Sequence, residues 1–493
     1  MRYRAYLRAR YRGLCGYLSV ILALIGLSIL SPLPLLAFYP EEWPFADGFL
    51  LAGLPLLIGG WLLRRLIRTP EGFDLSIQEG MVLTVLAWGV SVSMGGLPFV
   101  LEDKLNFHQA VFEATSGWTS TGLTVVDITN TPKLVLFYRS TTQLIGGAGF
   151  SIIILSAITG ALGRGLNDAE GRDDKLAPHI RQSSQIVLAL YLSYIAIGAP
   201  LLWLAGMPPF DALNHAITAV ATGGFSTHAE SAGFWDSFLI EALLVSLMLL
   251  GSFNFMAAYL LMRGNWRAFL RHTETRMTFF IVPLGVLLLF FTTTLPLYDA
   301  PAKALRVALF EAVSNLTTGG FQTVAYAPWA DVGWLVLMVL MIFGGSTGST
   351  AAGIKLLRVA ILLQAFVWEV RRAFLPTHMV NAPSVWRGNR RVFLSDFQVR
   401  QVGVFVISYL SLMALAAGVV LAHGYPLRDV LYEVTSAMGG VGSSSGLTSP
   451  EMPLGVLYTL VGTMLLGRLE IFALFIGVVK LGDDVRVLAG FAR

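Results

Sequence analysis

The chain has 493 residues, 55% of them hydrophobic and only 13% charged, with 50 glycines and a formal net charge of +4. Together with a mean hydropathy of +0.69, this balance excludes a soluble globular domain and describes a polytopic membrane protein. The single cysteine, Cys15, lies in an apolar run, which excludes a disulfide framework and a cysteine-metal site; how the charges divide across the membrane matters more than their sum.

At the amino terminus Arg2, Arg4, Arg8, Arg10 and Arg12 precede an apolar run from about 14 to 39. The run exceeds the h-region of a signal peptide and lacks a small-residue cleavage site, so it reads as an uncleaved first helix. A second run, about 48 to 67, ends in Arg64, Arg65 and Arg68, and the turn between the two holds Glu41, Glu42 and Asp47. The positive-inside rule therefore places the amino terminus in the cytoplasm.

The remaining chain repeats one pattern four times: long helix, short helix, glycine-rich loop, long helix. The long members cover about 78–101 and 133–161, 183–205 and 233–262, 276–296 and 331–369, and 399–423 and 452–480. Most hold the roughly 20 apolar residues needed to cross a bilayer core of about 30 Å. The short members, near 107–118, 210–221, 304–317 and 427–438, would reach only roughly 18 to 21 Å at about 1.5 Å per residue. They are expected to re-enter without spanning.

The expected architecture is thus an all-α polytopic membrane protein with ten spanning and four re-entrant helices. Its parts are a two-helix extension (1–70) and four parallel pore-loop repeats (71–165, 166–268, 269–388 and 389–493). Basic residues agree with that arrangement. Loops assigned inside hold Arg164, Arg172, Lys175 and Arg181; Arg263, Arg267, Arg271 and Arg276; and Arg371, Arg372, Arg387, Arg390 and Arg391. The outer segments hold only Lys104, Lys133, Lys303, Arg306 and Arg428. Counting any short helix as a span would invert these clusters, so both termini are expected inside. The longest polar connections are 164–182 and 370–398, the latter with Pro376 and Pro383.

One phrase recurs across the end of each short helix: FEATSGWTSTGLT from Phe112, NHAITAVATGGFS from Asn214, FEAVSNLTTGGFQ from Phe310 and YEVTSAMGGVGSS from Tyr432. The four align on Gly122, Gly224, Gly320 and Gly442, with Glu113, His215, Glu311 and Glu433 nine residues earlier. Irregular backbone at membrane depth survives only where protein buries it or where it lines a wet cavity. Four such loops around one axis could replace the hydration shell of a monovalent cation with carbonyl oxygens. Glycine supplies the backbone angles and leaves the hole open. Each short helix would direct its negative dipole end toward a cavity below. For a single loop, close helix packing through small residues would be an adequate explanation; four in register favour a pore.

These loops, with YRSTTQLIGGAGF after the first, NFMAAYLLMRG after the second, GGSTGSTAAGIK after the third and GRLEIFALF near the end, resemble the Trk, Ktr and HKT potassium transporters over nearly the whole chain. The two helices before the first repeat resemble the TrkH branch. The resemblance implies potassium uptake across a bacterial cytoplasmic (inner) membrane by a homodimer with one pore per subunit. It also implies a cytoplasmic TrkA-type nucleotide-binding regulatory subunit; the chain itself holds no recognisable nucleotide site. No cofactor and no nucleic-acid partner are expected, only membrane lipid and potassium as the transported ion.

By the same resemblance the selectivity filter falls on Thr119, Ser120, Thr121 and Gly122; Ala221, Thr222, Gly223 and Gly224; Thr317, Thr318, Gly319 and Gly320; and Gly439, Gly440, Val441 and Gly442. Glycine at all four key positions goes with potassium preference, whereas serine in the first marks sodium-permeable members. The fourth loop departs from the threonine-rich pattern. Glu113, Glu311 and Glu433 are expected to brace the filter from behind, because buried N–H groups need acceptors.

The run Gly344, Gly345, Ser346, Thr347, Gly348, Ser349, Thr350, then on to Gly353, is rich in poor helix formers and should loop out of the eighth span. The resemblance makes it an intramembrane gate. Arg468 is expected near the middle of the last helix, about 16 residues or roughly 24 Å from its outer end. An arginine there costs at least about 2.5 kcal/mol unless paired or hydrated, so it should face the cavity; the resemblance gives it a gating role. Lys355 and Arg139 invite similar readings, although Arg139 could sit at the outer interface. Ion-coupled symport with H+ or Na+, and a sodium-permeable member of the same family, remain alternatives. An intramembrane serine protease at Ser346 or Ser349 would need a base, and only His215 lies deep enough.

Overall fold

The computed structural model describes residues 2–67, 75–102, 104–157, 180–374, 383–387 and 390–490. Arg68, Arg164, Arg172, Lys175 and Pro376 lie outside the described residues. The fold is mostly helical. Six described helical stretches are long and apolar enough to cross a membrane: Tyr3–Ala37, Pro40–Leu66, Ile77–Leu101, Gln185–Leu204, Thr273–Leu297 and Asp396–Leu421. Their outer faces carry exposed side chains such as Leu51, Phe280 and Ile407. That pattern suits a helix whose surroundings are hydrocarbon.

The four short helices are Phe107–Trp118, Pro209–Val220, Pro301–Leu316 and Leu427–Gly439. Local chemistry starts the first three. Asn106 and Gln109 form a reciprocal capping box on the first. Pro209 and Pro301 occupy first-turn positions where no amide hydrogen is needed. Unlike the long apolar helices, the short ones are mostly buried after their first turn, with Leu305 and Leu309 of the third as exceptions, so other helices surround most of their length.

Second helices of the repeats approach these short helices through glycine. A methyl group on Gly146, Gly251 or Gly467 would overlap the carbonyl oxygen of Trp118, Val220 or Met438, respectively. Each of those carbonyls lies at the end of a short helix, four residues before its key glycine. The contact is the close backbone approach that small residues allow between membrane helices.

Three expected long helices are broken. Helix Asp331–Phe343 stops at Gly344 and resumes as Leu356–Arg372, as the glycine run predicts. The expected continuous helix 233–262 begins only at Phe238, ends at Ser252 and continues as Phe255–Met262 at an angle of 116°. Asn254 causes the restart: its side chain accepts from the Met256 and Ala257 amides as an N-cap. The expected continuous helix 452–480 likewise divides into Leu454–Arg468 and Ile471–Ala489, with Glu470 at φ 55° between them. Arg468 is therefore the last residue of a half-helix and not the middle of a whole one. The all-helical expectation also needs a small correction, because Ser384–Arg387 and Arg390–Phe393 pair as an antiparallel hairpin in the polar connection.

Candidate ion pathway

Each short helix ends in a loop with one backbone pattern. Two residues before the key glycine, Ser120, Thr222, Thr318 and Gly440 have φ of 57°, 49°, 57° and 62°. The key glycines Gly122, Gly224, Gly320 and Gly442 are also left-handed, at 103°, 75°, 72° and 92°, while the residues between them are not. Alternating handedness turns successive peptide groups the same way. The fourth loop differs in sequence and not in conformation. Gly440 adopts without strain what Ser120, Thr222 and Thr318 hold against the usual steric preference.

The loops close into a ring. A methyl group on Gly122 would overlap the Gly223 carbonyl oxygen, and one on Gly224 would sit 2.8 Å from that of Gly319. One on Gly320 would overlap Val441, and one on Gly442 would overlap Thr121, which returns to the first repeat. Each contact joins a key glycine to the carbonyl just before the next repeat's key glycine. A cavity of about 310 Å³ opens on the side of the segments that follow the glycines, with all four glycines in its wall beside Thr124, Ser226, Gln322 and Ser444.

The loop amides are satisfied mainly from their own short helix. Gly122 and Gly442 donate to the Ser116 and Ser436 hydroxyls, both at 3.0 Å, and Thr121, Gly223, Gly319 and Val441 donate to the carbonyls of Ser116, Thr218, Ser314 and Ser436. Ser116, Thr218, Ser314 and Ser436 form one hydroxyl column, six residues before each key glycine. The sequence reading missed it, although the same alignment displays it.

The column of Glu113, His215, Glu311 and Glu433 reaches one step further out than expected, to the segment after the glycine. Glu113 accepts from Thr124 Oγ1 at 2.9 Å and the Val125 amide at 3.1 Å. Glu311 accepts from the Thr323 amide and hydroxyl at 2.8 and 2.7 Å and from the Tyr326 hydroxyl. Glu433 accepts from Ser444, Ser445 and Thr448. His215 shares a hydrogen bond of 3.0 Å with Ser226. Among the described residues, Glu113 alone of the three carboxylates has an arginine against it: Arg139 Nε lies 2.7 Å away, with both side chains buried. Arg139 is therefore an internal residue and not an interfacial one, and it stacks 4.0 Å from the Phe225 ring of the second repeat.

Below the ring, the Gly344–Gly353 loop docks on the break in the second repeat. Ser346 N donates to Ser252 O, and Phe255 N to Gly348 O, both at 3.0 Å. Asn254 Nδ2 donates to Thr347 O at 2.6 Å, and Thr347 N donates to Glu274 Oε1 at 2.5 Å. Thr350 Oγ1 donates to Gly251 O at 2.9 Å, and Ala352 N reaches Thr318 Oγ1 at 3.2 Å. Gly344, Gly348, Gly353 and Lys355 have positive φ, and Lys355 Nζ folds back onto Ala351 O. Arg468 donates to Thr350 O, Gly146 O and Gly147 O. Sequence reasoning missed Asn254 and Glu274 as partners of this loop, since nothing local marks a contact across about 70 to 90 positions.

A proteolytic site does not assemble. Ser349 donates to Ser346 O at 2.6 Å, and both ring nitrogens of His215 are engaged, with Ser226 and the Asp211 carbonyl.

The family model described as "TrkH: Cation transport protein" matches residues 65–485. The chain is 32% identical over 486 residues to the Trk system potassium uptake protein TrkG of Escherichia coli strain K12, covering 94% of this chain and 96% of that protein. It is 32% identical over 504 residues to the Trk system potassium uptake protein TrkH of Vibrio parahaemolyticus, covering 95% and 98%. The crystal structure of the potassium transporter TrkH from Vibrio parahaemolyticus superposes with a TM-score of 0.84 at 28% identity, over 94% of this chain and 98% of that one. Set beside the closed ring of loops, these likenesses identify a membrane transport protein and not an enzyme: the chain belongs to the TrkH family of cation transport proteins.

Proposed function

We propose that this chain takes up potassium across the cytoplasmic membrane through the ring formed by Thr121, Gly223, Gly319 and Val441 and their following glycines. The observation that carries it is the closed cycle of glycine-to-carbonyl contacts, which sets four equivalent backbone turns around one axis. Backbone carbonyls in such a ring replace the hydration shell of a monovalent cation. The four filter segments from Thr119, Ala221, Thr317 and Gly439 act as one binding site. Glu113, Glu311 and Glu433 hold its outer rim through the hydrogen bonds described above.

In this reading the four short helices re-enter and ten helices span. Six pass intact, 133–157 is a seventh, and the broken pairs 238–262, 331–372 and 454–489 make three more. Both termini then lie inside. The Gly344–Gly353 loop is the gate: it lies between broken helices, is held at Thr347 by Asn254 and Glu274, and is tied to Arg468 at Thr350. A homodimer and a cytoplasmic nucleotide-binding subunit of TrkA type, acting on the inner ends of these broken helices, complete the proposal. The relatives' names as parts of a Trk system favour such a partner.

The purified chain in liposomes, with potassium and sodium gradients compared, tests this. Passive potassium flux exceeding sodium flux is expected. Flux strictly dependent on a proton or sodium gradient would replace conduction with symport, and equal sodium flux would make this a sodium-permeable member.

A further inference from the structure

Resting on the proposed filter, we infer that Gln143 is a positioning residue that sets its discrimination between potassium and sodium. Gln143 belongs to the second helix of the first repeat, yet its fully buried side chain acts on the loop of the second. Its Nε2 donates to the Gly223 carbonyl oxygen at 2.6 Å, and its Oε1 accepts from the Phe225 amide at 3.2 Å. One side-chain amide thus spans Gly224 on both sides. Gly223 has no room for a side chain of its own, because a Cβ there would run into the Gln143 amide.

The carbonyl it holds is one of the four in the ring. The Gly223 oxygen is also the atom that a methyl group on Gly122 would strike, so it lies on the seam between the first and second loops. That seam is reinforced by Ser120 Oγ donating to Ala221 O at 2.8 Å and by Arg139 beside Phe225.

A carbonyl that already accepts a short hydrogen bond has one lone pair occupied and its position fixed. Removing the donor has two effects with the same sign. The ring becomes freer to contract around a smaller ion, and the released oxygen presents a stronger field, which favours the smaller and more tightly hydrated cation. Both lower the preference for potassium.

The test uses the full chain in liposomes, with potassium and sodium flux measured on the same preparations. Gln143→Leu removes donor and acceptor, and the potassium-to-sodium flux ratio should fall about fivefold, the scale of one neutral hydrogen bond. Gln143→Glu keeps the shape and supplies a donor only while protonated, so its ratio should fall as pH rises, whereas that of Gln143→Leu should not change with pH. A wild-type ratio in Gln143→Leu overturns the inference. So does an equal loss of both fluxes together with a lowered melting temperature, which would make Gln143 a structural brace. Should Gln143→Leu fail to insert, a wild-type ratio in Gln143→Met, which keeps the length of the side chain and lacks the donor, overturns it. Absence of potassium flux in the wild-type chain would instead count against the filter reading itself.

Discussion

Arg468 donates to the Thr350 carbonyl oxygen at 2.5 Å while its other terminal nitrogen donates to Gly146 and Gly147 at 2.6 and 2.8 Å. One guanidinium therefore joins the loop of the third repeat to helices of the fourth and first. The planar fork makes this possible, since it presents donors in two directions from one rigid group.

Arg468→Ala should release the loop at Thr350 and raise basal potassium flux severalfold. It should also lower the melting temperature, because hydrogen bonds to a charged donor contribute about 1.5 to 3 kcal/mol each. Arg468→Lys keeps the charge without the fork and should give intermediate flux. Paired flux and melting measurements decide the matter: a less stable alanine variant with unchanged flux would leave Arg468 as a tie between helices with no role in gating.

Thr347 is gripped at both ends of its backbone, its amide by Glu274 and its carbonyl by Asn254. Glu274→Ala or Asn254→Ala should increase basal flux, and deleting three residues between Gly345 and Gly353 should increase it more. Flux that falls in a correctly inserted deletion variant would identify the loop as a structural joint.

At the ring, Gly122→Ser should admit sodium. The added side chain overlaps the Gly223 carbonyl and must adopt the left-handed backbone already present at Gly122, which costs a non-glycine residue about 1 to 2 kcal/mol. Gly320→Ala, pressed against Val441, should behave similarly. An unchanged potassium-to-sodium ratio in either inserted variant would argue against these loops as the filter.

The Glu113–Arg139 pair is buried, with side chains 0% and 1% exposed. Breaking such a pair from one side leaves an uncompensated charge and costs about 3 to 5 kcal/mol. Arg139→Met should therefore lower the melting temperature more than the double change with Glu113→Gln, which restores neutrality. A double-mutant cycle on melting measures the coupling; additive losses would mean the two side chains act independently.

Asp236 pairs with Lys303 and Arg306 across the second and third of the chain's short-helix segments. Burial works to raise the Asp236 carboxyl, but the bonds and charges of Lys303 and Arg306 outweigh it and hold the group below its ordinary value. The folded protein thus favours the ionised form. Its contribution is complete above the unfolded value of about 3.9 and fades as pH falls through the lower folded value. The difference in melting temperature between wild type and Asp236→Asn should be small at pH 7, as for exposed pairs, and vanish in strong acid. A difference that grows on acidification would contradict this.

Much of the molecule was legible before any coordinates. Hydropathy runs marked the membrane helices, because lipid demands long apolar stretches wherever backbone must hide its polar groups. The alignment on Gly122, Gly224, Gly320 and Gly442 marked the loops, because a left-handed turn against a neighbouring carbonyl tolerates little else. The glycine run at Gly344–Gly353 announced its own break. What the tertiary structure decided was pairing. Residue order along the chain carries no signal that Gln143 meets Gly223, that Arg139 neutralises Glu113, or that Glu274 and Asn254 hold Thr347. The breaks at Asn254 and Glu470 were less plain than the one at Gly344, since each has a single nearby glycine, Gly251 or Gly467, inside a hydrophobic run otherwise long enough to cross the membrane. Those helices give up backbone hydrogen bonds where the intramembrane loop or a neighbouring helix lies close, a compensation that exists only once the repeats have closed around their common axis.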